Sequence, residues 1–195
     1  TTSATFTIED SLAPTGTTTA GSTGNTICFS AAAGSFSFDA AAAVMGYTDA
    51  CGGTLTAVET GTEVVTGNDN IGWKVEYTFK VVDACGQELL NQTYSHIGND
   101  TEDPVFATPP VATTVECIGD IPAMTSLTWT DNCAAGGNVM GSDAAIVGGE
   151  CGGTITRSWT VTDGNGNTAT QTQIITIDDT MAPTLTGPAD QTINI

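Results

Sequence analysis

The chain repeats itself. Thr7-Ile8-Glu9-Asp10-Ser11-Leu12-Ala13-Pro14-Thr15 lines up with Thr176-Ile177-Asp178-Asp179-Thr180-Met181-Ala182-Pro183-Thr184. A weaker third copy, Asn99-Asp100-Thr101-Glu102-Asp103-Pro104, lies between them. The prolines at 14, 104 and 183 are therefore 90 and 79 residues apart, close to the roughly 100 residues of one small β-sandwich domain. Two more segments recur in the same order. Tyr47-Thr48-Asp49-Ala50-Cys51 matches Trp129-Thr130-Asp131-Asn132-Cys133, and Phe79 to Gly86 matches Trp159 to Gly166. Self-similarity at a fixed period restricts the fold to one small unit used several times.

The unit reads as β. Trp73, Val75, Tyr77, Phe79 and Val81 alternate with Lys74, Glu76, Thr78 and Lys80, and Ile155, Arg157, Trp159 and Val161 alternate with threonines and a serine. A period of two with one apolar face describes a half-buried antiparallel strand. Turn signals fall between such runs at Gly52-Gly53, Asn68-Asp69-Asn70, Gly136-Gly137 and Gly164-Asn165-Gly166-Asn167. Abundant Thr, Val and Ile suit pleated strands and suit helices poorly; Ala40 to Met45 is the one stretch apolar enough for a short helix. The expected fold is all-β, a series of tandem immunoglobulin-like antiparallel β-sandwich repeats. Residues 1–10 read as the last strand of a preceding repeat, 11–100 and 101–179 as two Ig-like repeats, and 180–195 as the first strand of a following one. The chain thus reads as a segment of a longer array.

Charge narrows the function. Asp and Glu number 22 against 3 Lys and Arg, a formal charge of −19. Phosphate backbones and anionic membranes both need clustered cations, so no nucleic acid or membrane-surface partner is expected. No apolar run is long enough for membrane insertion. The 39 % hydrophobic content and the periodic segments oppose disorder. What the charge favours is solubility, mutual repulsion and attraction for divalent cations.

The acids at the repeat junctions are the first candidate site. Asn99, Asp100, Glu102 and Asp103 cluster where one repeat ends and the next begins, as do Glu9 with Asp10 and Asp178 with Asp179. Ca²⁺ takes several carboxylate and carbonyl oxygens at once, so Asn99, Asp100, Asp103, Asp178 and Asp179 are candidate Ca²⁺ ligands. The competing reading is a solvated linker whose Asp residues cap turns. Asp49, Asp83, Asp131 and Asp163 stand at strand ends and read as turn caps of that kind. The Asp163–Asn167 loop lacks the Glu that closes an EF-hand and reads as a hairpin turn.

Six cysteines divide three and three, with no C-x-x-C pair and one His, which fits disulfides better than zinc. Cys51 precedes one strand region and Cys85 ends a later antiparallel one, so the two can lie side by side. Elimination then joins Cys117 to Cys151. Cys28 and Cys133 remain, as free thiols or as a link between domains. Asp10-Ser11-Leu12 and Asp179-Thr180-Met181 match an Asp-Ser/Thr-apolar O-glycosylation acceptor, making Ser11 and Thr180 candidate sites, and Asn91-Gln92-Thr93 and Asn99-Asp100-Thr101 match the N-linked pattern. His96 is the lone histidine and no nucleophile elbow accompanies it, so no catalysis is expected.

Four segments carry a family resemblance: Thr130 to Cys133 (T-D-N-C), Cys151 to Asp163 (C-G-G-T-I-T-R-S-W-T-V-T-D), Gly166 to Thr172 (G-N-T-A-T-Q-T) and Asp179 to Pro183 (D-T-x-A-P). They resemble the repeats of very large cell-surface proteins of Bacteroidota, including gliding-motility adhesins exported by the type IX system, and more distantly the hyalin-type repeat. The resemblance covers 101–195 well and 11–100 loosely. Repeats of that family often carry Cys at both the C-G-G and D-A-C-G-N positions; here Cys151 stands in one repeat and Cys85 in the other. It implies an Ig-like sandwich, a secreted or cell-surface location and a role in stalks or adhesion. The expected function is a non-catalytic stalk segment whose partners are its neighbouring repeats. The alternatives are a filament subunit that self-assembles by β-strand addition and a module that binds surface glycans or proteins.

Overall fold

The segments of period two become strands. The computed structural model describes residues 2–193, and Cα proximity divides the chain into two units. Unit 1 holds Thr1–Pro104 together with Thr130–Gly136 and Thr162–Thr168; unit 2 holds Val105–Trp129, Gly137–Val161 and Ala169–Ile195.

In unit 1 the chain runs through β1 (Thr15–Gly16), α1 (Phe29–Ala32), α2 (Ala40–Ala43), β2 (Tyr47–Thr48), β3 (Thr56–Glu59), β4 (Val64–Asn68), β5 (Gly72–Val82) and β6 (Glu88–Gly98). Strand β5 is central. Antiparallel β6 pairs along nearly its whole length, from Trp73 opposite Gly98 to Val82 opposite Glu88. A strand has only two edges, so β4 and β3 share the other, β4 on Gly72–Glu76 and β3 on Phe79–Val82. Burial alternates strictly along β5, turning Trp73, Val75, Tyr77, Phe79 and Val81 into the core with Tyr47, Ala57 and Tyr94. Each such side chain stabilises by roughly 1.5–3 kcal/mol when fully buried. Phe38 leans over the middle of this face, 5.7 Å from Phe79 and 5.9 Å from Tyr94 between ring centroids.

Two local features shape unit 1. Phe79 pairs with Gln92 but Val81 with Leu89, so Lys80 faces two residues, Leu90 and Asn91, in a β-bulge. Asn91 takes up the bulge at φ 57°, a left-handed conformation that Asn tolerates better than most residues. Helix α2 realises the stretch expected at Ala40–Met45 as a single turn, capped by Asp39, whose carboxylate accepts from the Ala41 and Ala42 N–H groups. Helix α1 was not foreshadowed by the sequence.

Unit 2 is built on β7 (Val105–Phe106), β8 (Thr113–Val115), a 3₁₀ turn (Ile118–Asp120), β9 (Ser126–Thr130), β10 (Gly137–Met140), β11 (Ser142–Asp143), β12 (Thr154–Thr162) and β13 (Thr168–Ile177), the inner ends of β9, β12 and β13 being counted with unit 1. Two sheets result, in the orders β10-β9-β7 and β11-β12-β13-β8. The second departs from the expected antiparallel plan, because β8 joins β13 in parallel, Thr113 opposite Ile175. Ile155, Trp159, Ile175 and Ile177 are buried, with Val115, Ile121 and Ile146 packed on the isoleucines. The Trp159 indole N–H donates to the Thr125 carbonyl at 2.8 Å. A Cβ on Gly141 would stand 2.8 Å from that indole, so the close approach requires glycine.

Residues 2–10 and 180–193 form no strand. Phe6 and Ile8 are 90 % and 96 % exposed, and Leu185 is fully exposed. Thr1, Asn194 and Ile195, the outer ends of the two predicted flanking strands, lie outside the described residues. No described helix is long and apolar enough to cross a membrane.

Candidate functional site

Six aspartates, three associated with each repeat, make the same local turn that Asp39 and Asp179 also make. One carboxylate oxygen of each accepts the N–H two residues ahead: Asp10 from Leu12, Asp49 from Cys51, Asp83 from Cys85, Asp100 from Glu102, Asp131 from Cys133 and Asp163 from Asn165, at 2.8–3.0 Å. This is the Asx turn, in which a short polar side chain stands in for a backbone carbonyl. Asp83 and Asp163 go further and accept from the residue four ahead, Gln87 and Asn167, each at 2.8 Å. Those bonds close the β5–β6 and β12–β13 hairpins.

The hairpin amide then reaches back to the start of the repeat. Gln87 Nε2 donates to the Asp10 carbonyl at 3.3 Å, and Asn167 Nδ2 to the Asp100 carbonyl at 3.4 Å. Each repeat is therefore associated with one acid from the junction just before it, one from its T-D-x-C segment and one from its hairpin: Asp10, Asp49 and Asp83, then Asp100, Asp131 and Asp163. Both sets lie within unit 1.

In four of the six, the second oxygen sets the aspartate apart from an ordinary turn cap. Asp49 Oδ1, Asp83 Oδ2, Asp100 Oδ2 and Asp131 Oδ2 are buried without a hydrogen-bond partner, and they are the only such side-chain atoms among the described residues. Asp100 is 3 % exposed and Asp83 7 %. In the second set, carboxylate oxygens of Asp100, Asp131 and Asp163 all lie within 4.8 Å of one another. In the first, the atoms that close are those of Asp10, Asp49 and the Cys51 thiol. Burial alone would raise the Asp163 carboxyl, but hydrogen bonds from the Asn167 side chain and from the backbone of Asn167, Gly166 and Asn165 outweigh it and hold the group below the usual carboxylate range. No protein cation answers either set. Lys74 pairs with Glu76, Lys80 with Glu88 and Arg157 with Asp143, and the chain has no other Lys or Arg.

Of the five residues expected to ligate Ca²⁺, the structure places Asp100 in the second set and the others outside it. Asn99 donates to the Asp100 carbonyl, Asp103 accepts from the Thr168 N–H, and Asp179 accepts from the Met181 N–H. Asp178 is exposed, with its N–H on the Val115 carbonyl. Asp131 and Asp163, read from the sequence as caps, do cap with one oxygen; the alignment of 49 with 131 and 83 with 163 is the signal that could have marked them as a recurring pair.

Cys28 and Cys133 form a disulfide, 5.2 Å between Cα atoms. Asp69 lies beside them, but bonded sulfurs are not metal ligands. Cys51, Cys85, Cys117 and Cys151, expected in disulfides, are exposed thiols in the structure. A hydrogen bond to Asp10, then desolvation and the charges of Asp10 and Asp49, raise the Cys51 thiol, with Cys85 contributing last. Cys151 likewise contributes to raising Cys117, after burial and the nearby acids. Ser11 is exposed, whereas the Thr180 hydroxyl and N–H both donate to Glu116 at 2.9 Å. His96 stacks on Phe36 at 4.2 Å and meets Ser22 Oγ through Nδ1 at 2.8 Å; among the described residues no carboxylate hydrogen-bonds the ring.

Residues 105–177 match the HYR-like domain with 4 cysteines, of an Ig-like family associated with cell adhesion. That span carries three cysteines, Cys117, Cys133 and Cys151, and Asn165 stands where the aligned repeat has Cys85. No curated protein matches the chain.

Proposed function

We propose that this chain is a non-catalytic stalk segment of a large secreted or cell-surface repeat protein. The observation that carries the reading is serial construction. The opening Asp, the T-D-x-C Asp and the hairpin Asp with its amide clamp recur in both repeats, and Asp179 begins a third copy with the same turn to Met181. An enzyme needs one site with convergent, differing groups, whereas an array needs the same unit set end to end. The adhesion-associated match over 105–177 supports the same reading, as does the resemblance of the C-G-G-T-I-T-R-S-W run to Bacteroidota surface adhesins. In an oxidising compartment, Cys51 with Cys85 and Cys117 with Cys151 are the pairs that would close, and alkylation of the non-reduced protein should then find no free thiol.

Sedimentation and X-ray scattering of the chain over a wide concentration range test the stalk. A stalk segment stays monomeric throughout. Concentration-dependent polymers would favour a self-assembling filament instead. That second reading draws on Phe6 and Ile8, alternate apolar residues almost fully exposed on a segment that forms no strand, a composition suited to strand addition on a neighbouring sheet.

A further inference from the structure

We propose that Asp100, Asp131 and Asp163 bind a divalent cation, with Ca²⁺ the best chemical fit. Three carboxylates with oxygens within 4.8 Å of one another repel strongly unless a positive charge sits among them. Lys and Arg are all committed elsewhere, so a cation that balances the carboxylates comes from outside the chain. Asp100 points to where it sits. Its Oδ1 accepts from the Glu102 N–H at 3.0 Å and the Asn132 Nδ2 at 3.1 Å, while Oδ2, on a residue 3 % exposed, has no partner. Asp131 is arranged alike, with Oδ1 on the Cys133 and Ala134 N–H groups and Oδ2 buried and bare. Burying a carboxylate oxygen unpaired is strongly unfavourable, more so than for a neutral polar group. Two on adjoining residues are costly unless a ligand meets both.

The geometry and donor chemistry agree. Ca²⁺ binds oxygen at about 2.3–2.6 Å, so any two of its ligands lie within about 5 Å of each other, and the three carboxylates satisfy that bound. The donors are hard oxygens with no sulfur, since Cys133 is held in the disulfide with Cys28, and such donors suit Ca²⁺ rather than softer metals. The backbone N–H groups on the Oδ1 atoms of Asp100 and Asp131 fix these side chains before any ion arrives. In the Asp10, Asp49 and Asp83 set the Cys51 thiol takes the third place in the tight group; sulfur is a poor Ca²⁺ ligand, and the assignment is therefore to the second set alone.

Calorimetric titration of the metal-stripped chain with CaCl₂ tests this, with melting temperature read in CaCl₂ and in EDTA. The wild type should bind one strong equivalent and melt several degrees higher in Ca²⁺, as any ligand specific to the folded state requires. Asp131→Asn and, independently, Asp100→Asn should each weaken binding by about tenfold or more, since charge count sets Ca²⁺ affinity. In EDTA the same variants should melt at or above the wild-type temperature, because each relieves repulsion. That reversal of sign separates a cation site from a structural role, which would lower melting in both buffers. Asp49→Asn, in the other set, should leave affinity unchanged. No heat and no shift in melting at millimolar CaCl₂ would overturn the proposal, as would equal affinity in wild type, Asp131→Asn and Asp100→Asn.

Discussion

Strands β5 and β12 occupy the same place in the two repeats, and one position separates them. Aligned by the Phe79–Gly86 and Trp159–Gly166 match, Val75 stands for Ile155, Phe79 for Trp159 and Tyr77 for Arg157. Phe79 and Trp159 are both fully buried. At the third position one repeat buries a phenol and the other a guanidinium, 2 % and 3 % exposed. Each is answered by a carboxylate outside its own strand. The Tyr77 hydroxyl donates to Glu63 at 2.9 Å, and Arg157 donates to Asp143 through Nε at 2.7 Å and Nη2 at 2.9 Å. The guanidinium needs more, and takes the carbonyls of Pro122 at 3.0 Å and Ala123 at 3.3 Å. The position thus demands a long side chain with a satisfied polar tip. What that tip is decides how much its loss costs and at which end of the pH scale it fails.

The shared aromatic should give the largest effect. Phe79→Ala and Trp159→Ala should each cost about 3–5 kcal/mol, the range for emptying a fully buried aromatic site. Trp159→Ala also strips the Thr125 carbonyl of its donor, and it falls in the unit with the fewer buried aromatics. It should therefore be the worse of the two in denaturant titrations. A loss below about 1 kcal/mol for Trp159→Ala would mean that its site collapses freely and that the two strands are not equivalent.

The charged tip comes next. Asp143→Asn leaves the Arg157 guanidinium, its side chain 4 % exposed, without its counter-charge, and should cost roughly 2 kcal/mol, less than a fully buried pair because the Asp143 side chain is 32 % exposed. Arg157→Met with Asp143→Ala should recover most of that, because an apolar pair carries no desolvation penalty. The hydrogen bond from Arg157, aided by its charge and opposed by burial, holds the Asp143 carboxyl below its ordinary range. A depressed folded pKa contributes stability that is complete above the unfolded carboxylate value of about 4 and is lost as pH falls through the folded one. The gap between wild type and Asp143→Asn should therefore shrink steadily below about pH 4. A gap that persists unchanged at lower pH would show that the variant acts through packing.

Much of this plan was legible in the sequence, and the rest was hidden for physical reasons. The core faces of β5 and β12 follow from alternation, which needs no tertiary information. The acids of the opening segment drew attention because they cluster along the chain. Asp131 and Asp163 read only as turn caps, because a cap uses one oxygen and the fate of the other depends on which distant loops meet around it. The same holds for Cys28, left over by the expected pairing, which finds Cys133 at a sequence separation of 105. The parallel pairing of β8 with β13 had no signal, since alternation marks a strand and says nothing of its direction. Helix α1 is four residues long, too short for a helical period to register.

The neutral tip should give the smallest effect and the opposite pH dependence. Tyr77→Phe keeps the ring and removes one hydrogen bond to a carboxylate, worth about 1–3 kcal/mol; Glu63 keeps the Gly34 N–H at 3.3 Å, so the lower end is expected. Burial, and then the hydrogen bond to Glu63, push the Tyr77 hydroxyl well above the ordinary tyrosine range. A raised folded pKa contributes stability that is complete below the unfolded value of about 10 and is lost as pH rises toward the folded one. Wild type should therefore lead Tyr77→Phe at neutral pH and lose that lead above about pH 10, where the unfolded tyrosine ionises and the folded one resists. Equilibrium unfolding of both proteins from pH 7 upward reads the difference directly. If the lead holds constant into the alkaline range, the hydroxyl is not shielded as its burial requires, and the parallel between Tyr77 with Glu63 and Arg157 with Asp143 fails at its neutral member.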